Sequence, residues 1–178
     1  MGKTTVLDAV AERLRAVGVP FAAVDLDALA WAYPPAPGDD PYRNRLMFQN
    51  LASIWTNFQD SGSTRLVCAY VIESRGELDR YRTAVPGAAI TVARLRASEE
   101  TLQGRLSRRL AHSDLIDGQV RLDERARRER RAARSRELAE LMDRAKVEDV
   151  LVETDGRDVD AIAGDVLRGA GWPGADRR

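Results

Sequence analysis

The sequence predicts an α/β domain with a largely parallel sheet covered by helices on both faces. Three observations carry that expectation. Four short apolar runs, at 21–27, 65–73, 88–95 and 147–154, lack polar alternation, as strands buried on both faces do. Segments with helical spacing lie before, between and after these runs. Turn signals separate them: Gly18 and Pro20, Ser61-Gly62-Ser63, Pro86-Gly87 and Asp155-Gly156. The resulting order of helix and strand is an α/β layout that, unusually, opens on a helix.

Each element has its own justification. Residues 3–16, KTTVLDAVAERLRA, place Val6, Leu7, Val10, Ala11 and Leu14 on one face, with Asp8, Glu12, Arg13 and Arg15 opposite. FAAVDLD (21–27) is the first strand. Tyr33–Pro41 carries four prolines and a glycine and reads as a loop. From 42 to 60 a stripe of Met47, Leu51, Ile54, Trp55 and Phe58 predicts a helix. RLVCAYVIE (65–73) is the second strand, followed by a helix over 75–84. AAITVARL (88–95) is the third strand, and Leu102, Leu106 and Leu110 mark a helix over 98–111. An arginine-rich polar helix is expected over 123–146, then a strand in VEDVLVET (147–154). The last helix, over 158–170, is built on Val159, Ile162, Ala163, Val166 and Leu167. Residues 1–172 form one domain by this reading, and the tail 173–178 is expected to fray.

Composition narrows the function classes. The chain has 178 residues, long enough for one well-buried core. Its 28 basic and 28 acidic side chains balance, so whole-molecule charge points to no polyanionic partner. Cys68 is the only cysteine, which rules out an internal disulfide. Within its apolar run it reads as a buried, inert thiol. His112 is the only histidine, leaving little for a histidine-based metal site or triad. No stretch is apolar enough to cross a bilayer and the N-terminus lacks a signal-peptide layout, so a soluble cytoplasmic protein is expected.

The motif with most chemistry is at the start. Gly2-Lys3-Thr4 supplies the last three positions of the phosphate-binding pattern G-x-x-x-x-G-K-[ST], and a helix begins where that pattern requires one. A glycine lets the backbone approach phosphate, a lysine charges the β- and γ-phosphates, and a threonine hydroxyl suits Mg²⁺. The helix N-terminus adds unpaired N–H groups and the favourable dipole end. The first glycine of the pattern and its preceding strand are not in the sequence. The reading frame is therefore expected to extend upstream of Met1; a true truncation without activity is the alternative.

The chain resembles the P-loop small-molecule kinases, in particular the shikimate, gluconate and adenylylsulfate kinase-like group. The resemblance rests on four features in order: GKTT opening the first helix, Asp25-x-Asp27 after the next strand, the helix ETLQGRLSRR, and TDGR (154–157) before the last helix. It implies a three-layer P-loop NTPase fold of strand order 2-3-1-4-5, with the first, central strand missing from this chain. Such a strand contributes burial of about 10 kcal/mol, comparable to the net stability of a domain.

What the resemblance implies for the site is as follows. ATP and Mg²⁺ are the cofactors, and the partners are a nucleotide and a small-molecule acceptor, with neither nucleic acid nor membrane involved. Gly2, Lys3, Thr4 and Thr5 would hold phosphate, with Thr4 on the metal. Asp25 and Asp27, two apart at a strand end, would hold the acceptor or help order Mg²⁺, and one would take the hydroxyl proton; capping of the next turn is the alternative. Glu73 would order metal-bound water or bind substrate, unless it is a solvated residue beside a Ser74 cap. Among Arg105, Arg108 and Arg109, at the entry to a lid over about 105–136, one would reach the β/γ-phosphates. Gly156 and Arg157 would frame adenine, or serve a strand-to-helix turn. Trp31, Tyr33 and Trp55 would line the acceptor pocket or belong to the core. The run RLDERARRERRAARSRE (121–137) is a solvated face, a lid, or, with no accompanying module motif, a nucleic-acid surface. The overall expectation is a phosphotransferase; an NTPase without acceptor and an inactive remnant are its rivals.

Overall fold

The computed structural model describes residues 2–34, 38–105 and 124–176. Helix α1 (Lys3–Ala16) leads into β1 (Phe21–Asp25) and a 3₁₀ turn (Leu26–Ala30). There follow α2 (Asn44–Asp60), β2 (Arg65–Ala69), α3 (Arg75–Ala84) and β3 (Ala93–Arg96). Helix α4 is described over 99–105. Then come α5 (Glu124–Ala145), β4 (Val150–Glu153) and α6 (Val159–Gly169). The expected lid over 106–123, with Arg108, Arg109 and His112, lies outside the described residues.

The strands form two parallel pairs. β1 runs beside β2 in the register Phe21 to Arg65 through Asp25 to Ala69, and β3 beside β4 from Ala93–Val150 to Arg96–Glu153. Among the described residues no strand joins β2 to β3, so the sheet is split where a central strand was expected to be missing. The two pairs nevertheless share an apolar layer. Val6, Val10 and Leu14 of α1 and Ile162, Ala163 and Leu167 of α6 pack with Val152, and Phe21, Val67 and Leu95 reach the same cluster. On its other face the β1–β2 pair meets α2 and α3, where Leu26, Met47, Leu51, Trp55, Tyr81 and Val85 are buried.

Local chemistry explains the ends of these elements. Ser74 caps α3 by accepting the Glu77 N–H at 3.1 Å, while the Glu77 carboxylate accepts the Glu73 N–H at 2.7 Å, a close variant of the reciprocal capping box. Asp158 caps α6 through the N–H groups of Asp160 and Ala161. Gly156, at φ 63°, makes the left-handed turn between β4 and α6 that glycine tolerates best.

Several expectations need correction. The strands are shorter than their apolar runs, because each pair has hydrogen-bonded neighbours on one side only. Burial on both faces also fails: Ala23, Cys68 and Leu151 are exposed. Cys68 as a residue is exposed, but burial still pushes its thiol up to about 12, so the expectation of an inert thiol stands and that of a fully buried residue does not. Residues 171–176 are not loose. Trp172 and Ala175 pack on the α1–α6 cluster, and the carbonyls of Gly174 and Ala175 accept from Arg13 at 2.8 and 2.9 Å.

Candidate functional site around the start of helix α1

The strands of each pair end together, and the N-terminus of α1 meets both sets of carboxyl ends. Gly2 stands there at φ 111°, with no side chain capping the helix and no acidic residue in its first turn. The first N–H groups of α1 thus have no side-chain cap, and the carboxylate that reaches its first turn, Asp25, comes from β1. Beside Gly2 is Arg105. An added Cβ at Gly2 would lie 3.6 Å from Arg105 Nη1. The same guanidinium donates to the hydroxyl and carbonyl of buried Thr154, at 3.2 and 3.0 Å. This links the glycine to the end of β4 and fixes a cation beside the helix start.

On the other side, Thr4 and the β1 carboxylates meet. The Thr4 hydroxyl donates to Asp25 Oδ2 at 2.6 Å, and Asp25 Oδ1 accepts the Asp27 N–H at 3.2 Å. The hydroxyl and the carboxylate are hard oxygen donors held in contact, a combination that fits Mg²⁺. Capping by Asp25 and a role at the metal are thus compatible, since each oxygen serves one. Among the described residues there is no group of three or more His, Cys, Asp or Glu that could hold a metal ion.

A cavity of about 610 Å³ opens next to this pair. Lys3 and Asp27 line it together with Tyr42, Asn44, Tyr70, Glu73, Glu77, Arg80 and Arg134. The carboxylates divide by what already holds them. Glu77 is committed to the α3 cap, and burial raises its pKa. Glu73 binds Arg134, Nη2 to Oε1 at 2.7 Å. Glu73, expected to order metal-bound water, to bind substrate or to stand solvated beside a Ser74 cap, is paired with an arginine, and Ser74 does cap α3. Asp27 is the acid whose side chain has no hydrogen bond or ion pair among the described residues. Tyr70 donates to Asn44 Oδ1 at 3.0 Å, and burial, with the charges of Asp27, Glu77 and Glu73, pushes its hydroxyl up to about 12. It is therefore a neutral donor.

The remaining expected site residues are placed as follows. Thr5 is exposed on the first turn of α1. Arg157 is tied to the Glu153 carbonyl and the Asp165 carboxylate, at 3.0 and 2.6 Å, so it serves the β4–α6 turn, with Gly156 beside it. Asp155 accepts the Ser98 N–H, which holds the start of α4. Trp31 and Tyr33 are 91% and 92% exposed and Trp55 is buried in the core, so none of the three lines the cavity. Sequence reasoning missed Tyr42, Asn44, Tyr70, Arg80 and Arg134. Tyr70 carried a usable signal, a polar-tipped aromatic at the carboxyl end of an apolar run.

An α/β arrangement of parallel strands, with a Gly-Lys-Thr segment opening a helix at the strand ends, is a fold of the P-loop kinase type. Known structures agree: the chain resembles a gluconokinase from Sinorhizobium meliloti 1021 with a TM-score of 0.54 and 22% identity, over 96% of this chain and 85% of that one. Likeness at that identity speaks for the fold. No family model and no curated protein sequence matches the chain. Among the described residues no helix is long and apolar enough to cross a membrane.

Proposed function

We propose that the chain is an ATP-dependent phosphotransferase acting on a small hydroxyl-bearing acceptor. The observation that carries this reading is that Lys3, of the phosphate-binding segment, and Asp27, the uncommitted carboxylate, line one cavity. Phosphoryl transfer asks a protein mainly for positioning and charge stabilisation. Lys3 and the α1 N-terminus hold the phosphates, and Arg105, beside Gly2, stabilises charge on the transferring group. Thr4 and Asp25 hold Mg²⁺, which when bound neutralises phosphate charge. The acceptor sits in the cavity, where its hydroxyl oxygen forms the new bond to the γ-phosphorus, ADP leaves, and Asp27 takes the proton.

The test separates the two ends of the cavity. In calorimetric titration with ATP and Mg²⁺, Lys3→Ala weakens binding by about tenfold or more, the loss of a charge-assisted phosphate contact. Asp27→Asn leaves that affinity within about twofold and lowers ADP release with a panel of small alcohols, sugars and sugar acids by about 10²–10⁴-fold. Unchanged nucleotide affinity in Lys3→Ala, with the fold intact by circular dichroism, refutes the phosphate site. Unchanged acceptor-dependent ADP release in Asp27→Asn refutes the base.

A further inference from the structure

Helix α5 is attached to the rest of the molecule by charge. Its sequence, ERARRERRAARSRELAELMDRA, is polar all round in its first half, and its short apolar stripe of Leu138, Leu141, Met142 and Ala145 lies toward the carboxyl end. None of the side chains described between Ala133 and Ala145 is fully buried, and none belongs to either apolar cluster. Around Arg134 and Arg136, ahead of that half-buried stripe, polar contacts hold the helix. Arg134 binds Glu73 at 2.7 Å and lies over the Tyr42 ring at 5.6 Å. Arg136 binds Glu99 of α4 at 3.1 Å. Asp143 binds Arg94 of β3 at 2.7 Å, and Arg94 also donates to the Ala139 carbonyl at 3.3 Å.

These attachments differ in their exposure to solvent. The Arg94 side chain is 6% exposed and its partner Asp143 62%, so it is the buried guanidinium, held also by the Ala139 carbonyl, that limits screening at this end. The side chains of Arg134 and Glu73 are 32% and 36% exposed, and those of Arg136 and Glu99 are 55% and 59% exposed. Such pairs are individually weak and weaken further as salt rises. The carboxyl end of α5 is therefore a pivot, and the part around Arg134 and Arg136 is a latch. The latch bears on the cavity, because Arg134 and Leu138 form part of its wall beside Tyr42 and Glu73.

We propose that α5 is an ionic strap, pivoting where Arg94 meets Asp143, that covers the cavity only while the Glu73–Arg134 and Glu99–Arg136 pairs hold. On this view Glu73 gates access to the cavity, and ionic strength sets how often the strap lifts. A lifted polar segment of this length does not keep its helix in water, so release is visible as amide exchange.

Hydrogen exchange read by mass spectrometry at about 50 mM and about 500 mM NaCl tests this, the Debye length falling severalfold between them. Peptides covering 133–138 exchange about fivefold faster at high salt, the combined effect of two exposed pairs. Peptides covering 140–145 and α6 change by less than about twofold. Glu73→Gln and, independently, Glu99→Gln each raise exchange over 133–138 at low salt and flatten its salt response. The swap of Glu73→Arg with Arg134→Glu restores protection. A salt response that is absent or uniform along α5, or protection unchanged in Glu99→Gln, overturns the strap. So does failure of the charge swap to restore what Glu73→Gln loses.

Discussion

Replacing Arg13 by methionine tests how the helix bearing the phosphate segment is held in place. Arg13 is 8% exposed and joins three parts of the chain. Its Nε and Nη2 donate to the two oxygens of Asp160 on α6, at 2.9 and 2.8 Å, and its Nη1 donates to the carbonyls of Gly174 and Ala175. Arg13→Met keeps much of the apolar stem but leaves a carboxylate and two carbonyls without this donor. Removing one partner of a buried pair costs about 3–5 kcal/mol. The Asp160 side chain is 29% exposed, so water recovers part of that, and about 2–4 kcal/mol is expected. At about 2–4 °C per kcal/mol for a domain of this size, the melting temperature falls by about 4–16 °C. Urea and thermal unfolding followed by circular dichroism measure it. The double variant Arg13→Met with Asp160→Leu recovers a large share, because neither charge is then stranded. A cost below about 0.5 kcal/mol would show that Arg13 does not organise this junction.

Two further outcomes follow from the same half of the molecule. In Gly169→Ala the new Cβ would stand 2.5 and 2.6 Å from the two methyl groups of Val150, so α6 must move off β4. The clash outweighs the gain in helix propensity and costs about 1–3 kcal/mol by urea unfolding; Val150→Ala in the same chain relieves it. The Asp165 carboxyl is held below the usual aspartate range by hydrogen bonds from Arg157 and then Arg168. A folded-state pKa below the unfolded one gives stability that is present above about pH 4 and lost as pH falls through the folded value. Asp165→Asn should therefore flatten the acid limb of a stability profile measured between about pH 2 and 6, and an unchanged acid limb counts against that assignment.

How far the sequence could be read depended on whether a residue's role was local. Helices α1 and α3 have the bounds their periodicity and breakers imply, and the Ser74 cap follows from a serine three residues before a glutamate. Thr4 and Asp25 were each picked out by their patterns, at a helix start and a strand end, but no pattern announced that the two would meet. Tyr42 and Asn44 were not picked out. They reach the cavity from a turn in which Arg43 takes a left-handed φ of 53°, and no spacing rule announces such a turn in a non-glycine residue. Arg94 was equally silent: a lone arginine in an apolar run gives no sign that Asp143, forty-nine positions later, will pair with it. Cys68 was legible in part: burial pushes its thiol up to about 12, as an inert thiol requires, while the residue as a whole stays exposed on β2, which has a strand neighbour on one side only among the described residues.

The split sheet gives these placements a common consequence. In an unbroken sheet, backbone ladders would fix the end of β1 relative to the end of β4. Here the two pairs are joined through side chains, the α1–α6 cluster above all. The proposed acceptor side of the site, Asp27 and most of the cavity wall, lies with the β1–β2 pair, whereas Arg105 and Thr154 lie with the β3–β4 pair. The segment in contact with both is the start of α1: Thr4 bonded to Asp25, Lys3 in the cavity, and Gly2 beside Arg105. Its position is set by Val6, Val10 and Leu14 packing and by the Arg13 junction at the far end of the helix. Side-chain packing is shorter-ranged and more easily loosened than a hydrogen-bonded ladder, so the separation between phosphate and acceptor groups is governed by α1. A variant that loosens α1, remote from every candidate site residue, should therefore weaken nucleotide affinity as well as stability. Loosening α2, whose contacts lie within the other core cluster, should leave the phosphate side in place.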